Sequence, residues 1–309
     1  MNLRRTLAVF TAVALLGGCS GDKKAAAPTS PGATTAAVQN VTDSDKPLFE
    51  VSGDGADLAL TFAGDAPTEL QRHIAEPKPD GHEVGADDIV FANYHGQVWD
   101  GDVFDSSFTR GAPVAFNLNE VIPGWKQGLT GTHVGERVQL SIPSELGYPQ
   151  GTPDGKIKPG DSIVFVVDVI DSVGPDAAAP SNATEVKDPA ELGLTVTEDD
   201  GKVSGVSIAE GTAVPTELTV EDLKQGSSEV TAAEGDTLIL RSAFAAWPDD
   251  SGQTQPPVQG AQLFPVPVEN LPQLAGKAEG TRFAFLAPAE EQRPAAVNVA
   301  DIVKIFKAP

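Results

Sequence analysis

The chain contains two copies of one pattern, and this duplication constrains its fold more strongly than any other feature. The tetrapeptide PTEL occupies residues 67–70 and again residues 215–218. Further matches follow in the same order at offsets of 148 and then 145 residues: Asp88 and Trp99 with Asp236 and Trp247, and Leu129, Gly131, Gly135, Arg137 and Pro143 with Leu274, Gly276, Gly280, Arg282 and Pro288. Copies of this length predict tandem domains rather than a solenoid of short repeats.

Shifts in composition place the boundaries of these domains. Residues 19–46 are rich in Ala, Thr, Ser, Pro and Gly, and a second such stretch, GPDAAAPSNATEVKDP, occupies residues 174–189. The first stretch buries too little apolar surface to offset the entropy of ordering it. We therefore expect a flexible tether at 19–46, a linker at 174–189, and domains at 47–173 and 190–309.

The first residues have the pattern of an export signal. Arg4 and Arg5 precede the apolar run LAVFTAVALL, which is too short to span a bilayer as a helix. The run ends in LGGC, which resembles the lipobox of bacterial lipoproteins and contains Cys19, the only cysteine of the chain. We expect residues 1–18 to be a signal peptide, with lipid on Cys19 holding the protein at the extracytoplasmic face of a membrane. The alternative is an unmodified thiol in an ordinary signal peptide.

Charge and missing motifs exclude several function classes. The chain has 44 acidic and 21 basic residues, a net charge of −23, and such a surface repels nucleic-acid phosphates. The stretch DGDVFDSS has Phe104 at a ligand position of a calcium loop, and no histidines have the spacing of a metal site. A GxSxG elbow and a phosphate-binding loop are both absent from the sequence. We therefore expect no metal and no cofactor.

Local periodicity in the first copy is mostly that of strands. IVFVVDVI at 163–170 is a β-branched run, and IVFANY at 89–94 predicts a further strand. VQLSI at 138–142 alternates, which predicts Gln139 and Ser141 on an outward face. The stretch VIPGWKQGL predicts one short helix, with the apolar side chains Val121, Trp125 and Leu129 on one face. The pattern indicates a mainly antiparallel sheet closed over a single helix.

Four motifs carry a resemblance to a known family. YHG, GDVFDSSFTRGAP, VIPGWKQGLTGTHVGERVQLSIPSELGY and IKPGDSIVFVVDVID, in this order and spacing, resemble FKBP-type peptidyl-prolyl isomerases over residues 84–173. The resemblance implies an α+β fold, an antiparallel sheet of five or six strands wrapped around one short helix with a shallow apolar pocket between them. With the duplication, it predicts two such FKBP-like domains.

The resemblance also implies the site residues. It assigns catalytic positions to Tyr94, Phe104, Asp105, Trp125, Tyr148 and Phe165, and substrate-binding positions to Arg110, Val121, Ile122 and Ile157. In the family pattern Trp125 is the pocket floor, and Ile122 and Tyr148 donate hydrogen bonds to the ligand. Asp105 is held by Arg110 and Tyr94. Val114 stands where many family members have Phe, and Lys156 where an apolar residue is common, so we expect a looser pocket wall with its centre kept.

The function that this resemblance implies needs no acid, base or nucleophile. Rotation about an X-Pro bond must cross a barrier of about 18–20 kcal/mol. An apolar pocket desolvates the amide and favours the twisted state. We expect a prolyl isomerase acting on proline-containing exported polypeptides, with macrolides as a further ligand class. The alternatives are a binding module or chaperone that holds proline segments without turnover, and a purely structural lipoprotein.

The second copy lacks the residues of this pocket. At the positions taken as aligned, Ser242 replaces Tyr94 and Asn270 replaces Trp125, while Ile305 stands opposite Phe165. No FDSS-like stretch follows Trp247. The sequence predicts a degenerate second domain without isomerase activity, serving as a spacer or a binding surface.

Overall fold

The computed structural model describes residues 41–248, 260–290 and 293–308. The predicted signal peptide and Cys19 lie outside the described residues. The structure divides into two compact units, one ending at Pro175 and the other beginning at Asp176. They are called the N-terminal unit and the C-terminal unit below. In the described ranges, no helix is long and apolar enough to cross a membrane.

The N-terminal unit is built mainly of strands. A seven-stranded sheet has the order β1-β4-β8-β9-β5-β6, with β7 also paired to β5, and β2 and β3 form a separate hairpin. The elements are β1 (Thr42–Asp43), β2 (Glu50–Ser52), β3 (Ala59–Thr61), β4 (Gln71–Ile74), β5 (Ile89–Val98), β6 (Val103–Ser106), α1 (Ser107–Arg110), β7 (Val114–Asn117), α2 (Pro123–Leu129), β8 (Arg137–Ile142) and β9 (Ile163–Val173).

The sheet is larger than the five or six strands expected, because β1 is added at its edge. This strand lies within the predicted tether and pairs with β4 in parallel, the other ladders being antiparallel. Arg72 holds it there, since its guanidinium donates to both carboxylate oxygens of Asp43 at 2.6 and 3.1 Å. The expectation of a tether extending to residue 46 was therefore wrong for its last residues, which the ion pair and the ladder order.

The close packing of α2 against β8 explains two glycines in this helix, a residue that ordinarily weakens helices. Pro123 occupies the first turn, where a missing N–H has no cost. A Cβ atom at Gly124 would lie 2.3 Å from the Ile142 side chain, and one at Gly128 would lie 2.6 Å from that of Leu140. The two glycines therefore let α2 lie directly against β8. This contact buries Trp125 and Leu129 completely.

The opposite face of the sheet is also covered. Gln139 and Ser141 point away from α2 as expected, but both are buried rather than exposed to solvent. The hairpin β2–β3 brings Phe49 and Leu58 against Val164 and Val166 of β9 on this face, and Leu48 donates its N–H to Gln139 Oε1 over 2.9 Å. The outward face of β8 is therefore covered, because the hairpin packs over it.

The C-terminal unit repeats this architecture. Its six-stranded sheet has the order β10-β13-β16-β17-β14-β15, and β11 and β12 form a second hairpin. The strands are β10 (Thr184–Glu185), β11 (Leu194–Asp199), β12 (Lys202–Ile208), β13 (Thr219–Gln225), β14 (Thr237–Ala246), β15 (Gln262–Pro267), β16 (Arg282–Ala287) and β17 (Ala296–Phe306). The strand β10 lies within the predicted linker, so part of that stretch is a sheet edge.

Equivalent bonds recur in the two units. In the first, Arg137 on β8 donates Nε–H to Asp168 on β9 over 2.6 Å, and in the second Arg282 donates Nε–H to Asp301 over the same distance. The indole of Trp99 donates to the Gly64 carbonyl, as that of Trp247 does to the carbonyl of Thr212. The sequence repeat therefore corresponds to a structural repeat.

The described part of the C-terminal unit has no α-helix where the sequence analysis expected one. Two 3-10 turns, Val268–Asn270 and Pro272–Leu274, occupy the place of α2. Pro272 stands at the position of Gln127, in the middle of α2. A proline there lacks the N–H that an α-helix needs and its ring collides with the preceding turn. The expectation of one short helix in each domain was thus wrong for the second.

Candidate active site

An aromatic cluster lies between the sheet and α2 in the N-terminal unit. Tyr94 on β5, Trp125 on α2 and Phe165 on β9 are all buried. The Trp125 ring meets Tyr94 edge to face with centroids 5.6 Å apart, and meets Phe165 in the same way at 5.2 Å. Phe104 on β6 is only partly buried, and its ring lies 5.6 Å from that of Phe165. The cluster thus reaches the protein surface at Phe104.

Gly96 makes room for this arrangement. A Cβ atom at this position would lie 2.7 Å from ring atoms of both Phe104 and Phe165. Such a contact is shorter than van der Waals packing allows, so any side chain here would displace one of the rings. The glycine of the YHG motif is therefore required by the geometry of the cluster.

Three polar side chains border the aromatic cluster. Tyr94 Oη and Arg110 Nη1 donate to different carboxylate oxygens of Asp105, and Arg110 Nη2 donates to Tyr94 Oη over 2.8 Å. The Arg110 guanidinium carbon also lies 5.4 Å from the centre of the Tyr94 ring. The Asp105 side chain remains 22% exposed. Its carboxylate is thus fixed in orientation while one side still faces solvent.

The short helix α1 positions this polar set. The Tyr94 backbone N–H donates to Ser107 Oγ over 2.8 Å, and this hydroxyl donates in turn to Asn93 Oδ1 over 3.1 Å. Gly111 ends the helix with a φ of 74°, a conformation that favours glycine. The single turn between Ser107 and Gly111 brings Arg110 back over Asp105.

The two tyrosine hydroxyls of the site differ in their partners. Burial raises the pKa of Tyr94, and its hydrogen bond to Asp105 raises it further. Burial also raises the pKa of Tyr148, and the negative charge of Asp105 adds to this. Both phenols therefore stay protonated at neutral pH. Among the described residues Tyr148 Oη has no hydrogen-bond partner, so its proton is available to a ligand.

The remaining predicted residues join the same cluster. Val121 and Ile122 directly precede α2, Ile157 precedes β9, and all three are buried in the core that contains Trp125. Lys156, one of the two departures from the family pattern, donates from Nζ to the carbonyl of Phe104 over 2.9 Å. The structure therefore brings together all ten residues predicted for the site.

Among the described residues of the C-terminal unit, the equivalent position lacks this aromatic cluster. Ser242 and Asn270 stand at the positions of Tyr94 and Trp125, as expected. In the N-terminal unit, Phe165 on β9 lies opposite Gly96 on β5 and Leu140 on β8. In the C-terminal unit, the residue of β17 opposite the matching positions, Phe244 and Phe285, is Asn298. Asn298 is therefore the counterpart of Phe165. The alignment of Ile305 with Phe165 was therefore wrong, because β17 is matched to β9 at a different offset.

Substitution has changed the residues at the pocket positions in this second unit. Phe244 stands at the position of Gly96, where the N-terminal unit tolerates no side chain. Ser242 Oγ donates to Asn298 Oδ1 over 3.3 Å in place of the Tyr94–Phe165 ring contact. The strands and turns are kept, but the aromatic floor is lost.

A cavity of about 450 Å³ lies elsewhere in the C-terminal unit, beside β10 and β13. Its walls are largely charged, and its cations are already paired. Lys187 contacts Glu221, while Lys224 and Arg282 both contact Glu198. With its cations paired internally and no aromatic residue among its lining residues, this cavity lacks the chemistry of the aromatic site.

Sequence reasoning missed three contributors to the site. Gly96 lies in a motif that was recognised only as a family signature, and its steric role follows from the ring positions. Phe116 packs 4.7 Å from Trp125 and completes the floor. Ser107 lies in the FDSSF stretch, but its bond to the backbone of β5 depends on how α1 folds back.

Comparisons with known proteins bear on this arrangement. A family profile described as FKBP-type peptidyl-prolyl cis-trans isomerase matches residues 81–170. Peptidyl-prolyl cis-trans isomerase FKBP15-1 from Arabidopsis thaliana is 38% identical over 135 residues, which cover 42% of this chain and 88% of that protein. FK506-binding protein 2 from Debaryomyces hansenii is 39% identical over 122 residues, covering 38% and 86%. This chain belongs to the FKBP-type peptidyl-prolyl cis-trans isomerase family.

Its enzyme class is accordingly that of a peptidyl-prolyl cis-trans isomerase. A bacterial relative, the FKBP-type isomerase FkpA from Escherichia coli K12, is 44% identical over 84 residues, which cover 27% of this chain and 31% of that one. The crystal structure of FkpA from Escherichia coli matches 36% of this chain and 51% of that chain, with 38% identity and a TM-score of 0.33. The residues matched by the family profile lie wholly in the N-terminal unit.

Proposed function

We propose that the N-terminal unit catalyses X-Pro isomerisation in the aromatic pocket, and that the C-terminal unit does not. The proline ring of the substrate packs against Phe104, where the cluster reaches the surface, with Phe165 and Trp125 beneath it. One observation carries this proposal: the aromatic cluster reaches the surface at Phe104, and the fixed carboxylate of Asp105 lies at its border.

The proposed mechanism is stabilisation of the twisted amide. A planar amide has more charge separation than a twisted one, so water stabilises the ground state and an apolar surface removes that advantage. The rings of Phe104, Trp125 and Phe165 provide this apolar surface. The mechanism transfers no proton. Tyr148 Oη donates to a substrate carbonyl, and the backbone N–H of Ile122 donates to a second.

Asp105 orients and polarises in this mechanism. Its two oxygens accept from Tyr94 and Arg110, so it does not need to rearrange when the substrate binds. A preorganised group of this kind stabilises the transition state without a cost of reorganisation. One side of the Asp105 carboxylate faces solvent, so a bound substrate can place the carbonyl of the residue before proline beside it. There the carboxylate orients and polarises that carbonyl.

The proposed substrates are exported polypeptides that contain proline. The apolar run before Cys19 and the lone cysteine at its end support an extracytoplasmic location with a lipid anchor. The strongly acidic composition supports contact with the membrane through lipid alone, because anionic lipid surfaces repel it. Macrolides are a further proposed ligand class, supported by the name of the relative FK506-binding protein 2.

The C-terminal unit is proposed to be a spacer or a binding surface. Phe244, Ser242 and Asn298 take the place of the pocket residues, which argues against turnover there. This unit keeps the sheet and its hairpin, which gives a spacer or binding surface an ordered scaffold.

The test is isomerisation of a short X-Pro peptide by the full chain, measured by magnetisation exchange between the cis and trans signals. We expect the parent to accelerate exchange, and folded Phe104→Ala and Asp105→Ala variants to lose most of the effect. Phe244→Ala in the C-terminal unit is the matched control and is expected to keep the parental rate. Equal rates for the parent and both pocket variants would place turnover elsewhere.

A further inference from the structure

The hairpin β2–β3 lies outside the segment that matches the family profile, yet it packs beneath the site. Phe49 and Leu58 are buried against Val164 and Val166 on the face of the sheet opposite α2. The rings of Phe49 and Phe62 lie 5.6 Å apart, which closes the hairpin over this face. The outer layer is thus a packed part of the N-terminal unit.

This layer reaches the site through α1. Phe108, in the middle of α1, packs against the hairpin cluster that contains Leu58. The 3-10 turn Gly55–Asp57 of the hairpin also lies against α1. Arg110, which donates to Asp105 and Tyr94, follows Phe108 by two residues on the same turn. The hairpin therefore supports the backbone that presents the guanidinium.

The helix α1 needs such support, because four residues form only a single turn. One turn of helix is not stable alone, and the N-cap residue Ser106 makes no side-chain capping bond here. The Arg110–Asp105 pair keeps 32% and 22% exposure, and pairs this open to water contribute little to holding a backbone in place. On one side of α1, Ser107 bonds to β5. On its other side, Phe108 packs against the hairpin.

We propose that the hairpin β2–β3 is a positioning device for the isomerase reaction, acting through Phe108 and α1 to hold Arg110 and Asp105 in place. This inference rests on the proposed function of the aromatic site. Leu58 and Phe108 are positioning residues, since neither lies among the residues that border the pocket. A misplacement of the carboxylate by a fraction of an ångström lowers the rate without removing the pocket.

The second hairpin offers a matched control. Val206 stands 148 residues after Leu58, on β12, and is buried in the cluster beneath the C-terminal sheet. In the part of this unit that the structure describes, no aromatic pocket or Tyr–Asp–Arg set lies above it. Val206→Ala therefore makes a comparable cavity under a sheet without a site.

The experiment is a double-mutant cycle in the full chain, measured as kcat/KM for an X-Pro peptide. We expect Leu58→Ala to lower kcat/KM roughly tenfold, mainly in kcat, because the pocket that binds proline is intact. In an Arg110→Ala background the same substitution is expected to have almost no effect, since the group it positions is absent. Val206→Ala is expected to keep the parental rate. Leu58→Met, which conserves the volume of the side chain, is expected to keep most of the parental activity.

A spectroscopic reading makes the test independent of turnover. The guanidinium N–H signals of Arg110 are expected to lose their ion-paired shift in Leu58→Ala, while the backbone spectrum of the sheet is kept. If Leu58→Ala does not fold, Leu58→Val takes its place. Equal losses in both backgrounds, or a folded variant with parental kcat/KM and unchanged Arg110 signals, would overturn the proposal. Absence of turnover in the parent would instead contradict the proposed function, and the Arg110 signals would still decide about the hairpin.

Discussion

Gly96 and Phe165 face each other across the β5–β9 ladder, and a Cβ atom on Gly96 would lie 2.7 Å from the Phe165 ring. The same ladder position in the C-terminal unit holds Phe244 opposite Asn298. The pair with a glycine has an aromatic pocket, and the pair with a phenylalanine does not. This ladder position is therefore one of several, with those of Tyr94 and Trp125, at which the C-terminal unit lacks the residues of the aromatic cluster.

Gly96→Ala is expected to lower kcat/KM at least tenfold, because the methyl group displaces the ring of Phe104 or Phe165. Gly96→Phe, which copies the C-terminal unit, is expected to abolish turnover. Isomerisation of an X-Pro peptide measures both, and a circular dichroism spectrum confirms folding. A folded Gly96→Phe variant with parental activity would show that the rings are not the site.

Trp125→Ala is expected to abolish activity and to destabilise the N-terminal unit by about 3–5 kcal/mol, the usual cost of removing a large buried ring. Trp125→Phe keeps part of the floor, so we expect a smaller loss in both quantities. Urea titration gives the free energy of unfolding and the exchange assay gives the rate. If Trp125→Ala is stable and active, the indole is not the floor.

The two ion pairs that recur in the units are expected to differ in their effect on stability. Arg282 and Asp301 are nearly buried, whereas Arg137 and Asp168 are about a quarter exposed. Arg282→Ala leaves a buried carboxylate without its partner, which costs about 3–5 kcal/mol. Arg137→Ala exposes its partner to water and costs about 1 kcal/mol or less. Hydrogen exchange of the strands β16–β17 and β8–β9 compares the two, and equal losses would contradict this account.

Both tyrosines of the chain lie at the site, so their titration reports on it alone. Burial raises the pKa of Tyr94 and of Tyr148 in the folded state. Their contribution to stability is therefore complete below the unfolded value of about 10 and decreases as the pH rises above it. Near-ultraviolet absorbance is expected to show tyrosinate later in the folded protein than in urea. Two tyrosines titrating at the unfolded value in the folded protein would contradict their burial.

The catalytic rate is expected to be independent of pH between about 6 and 9, since neither phenol titrates there and the mechanism transfers no proton. The dependence of kcat/KM on pH for an X-Pro peptide measures this. A bell-shaped profile in this range would indicate acid–base chemistry that the proposed mechanism lacks.

The sequence predicted the elements that depend on local pattern and on family motifs. The strands with β-branched runs and the helix containing Trp125 are where the periodicity put them, and the ten site residues lie together. The burial of Gln139 could not be read from strand alternation, because it depends on a hairpin about 80 residues away. Nor could the match of Asn298 to Phe165, since a change in loop length shifts the offset, and only the ladders reveal it.

The C-terminal unit shows the same limit for helices. The apolar spacing around Asn270 resembles that of α2, and the repeat favoured a helix there. Pro272 overrides this pattern, because its ring and missing N–H are incompatible with the middle of a helix. This local signal was present in the sequence and outweighs similarity between the copies.

The most direct test uses the three tryptophans of the full chain as reporters. The indoles of Trp99 and Trp247 donate to backbone carbonyls, whereas the buried indole N–H of Trp125 has no partner among the described residues. An X-Pro peptide is added while the indole N–H signals and the cis–trans exchange of the peptide are recorded together. The account predicts that the Trp125 signal shifts as exchange accelerates, while the other two stay in place. Accelerated exchange with an unmoved Trp125 signal would contradict the claim that this pocket carries the reaction.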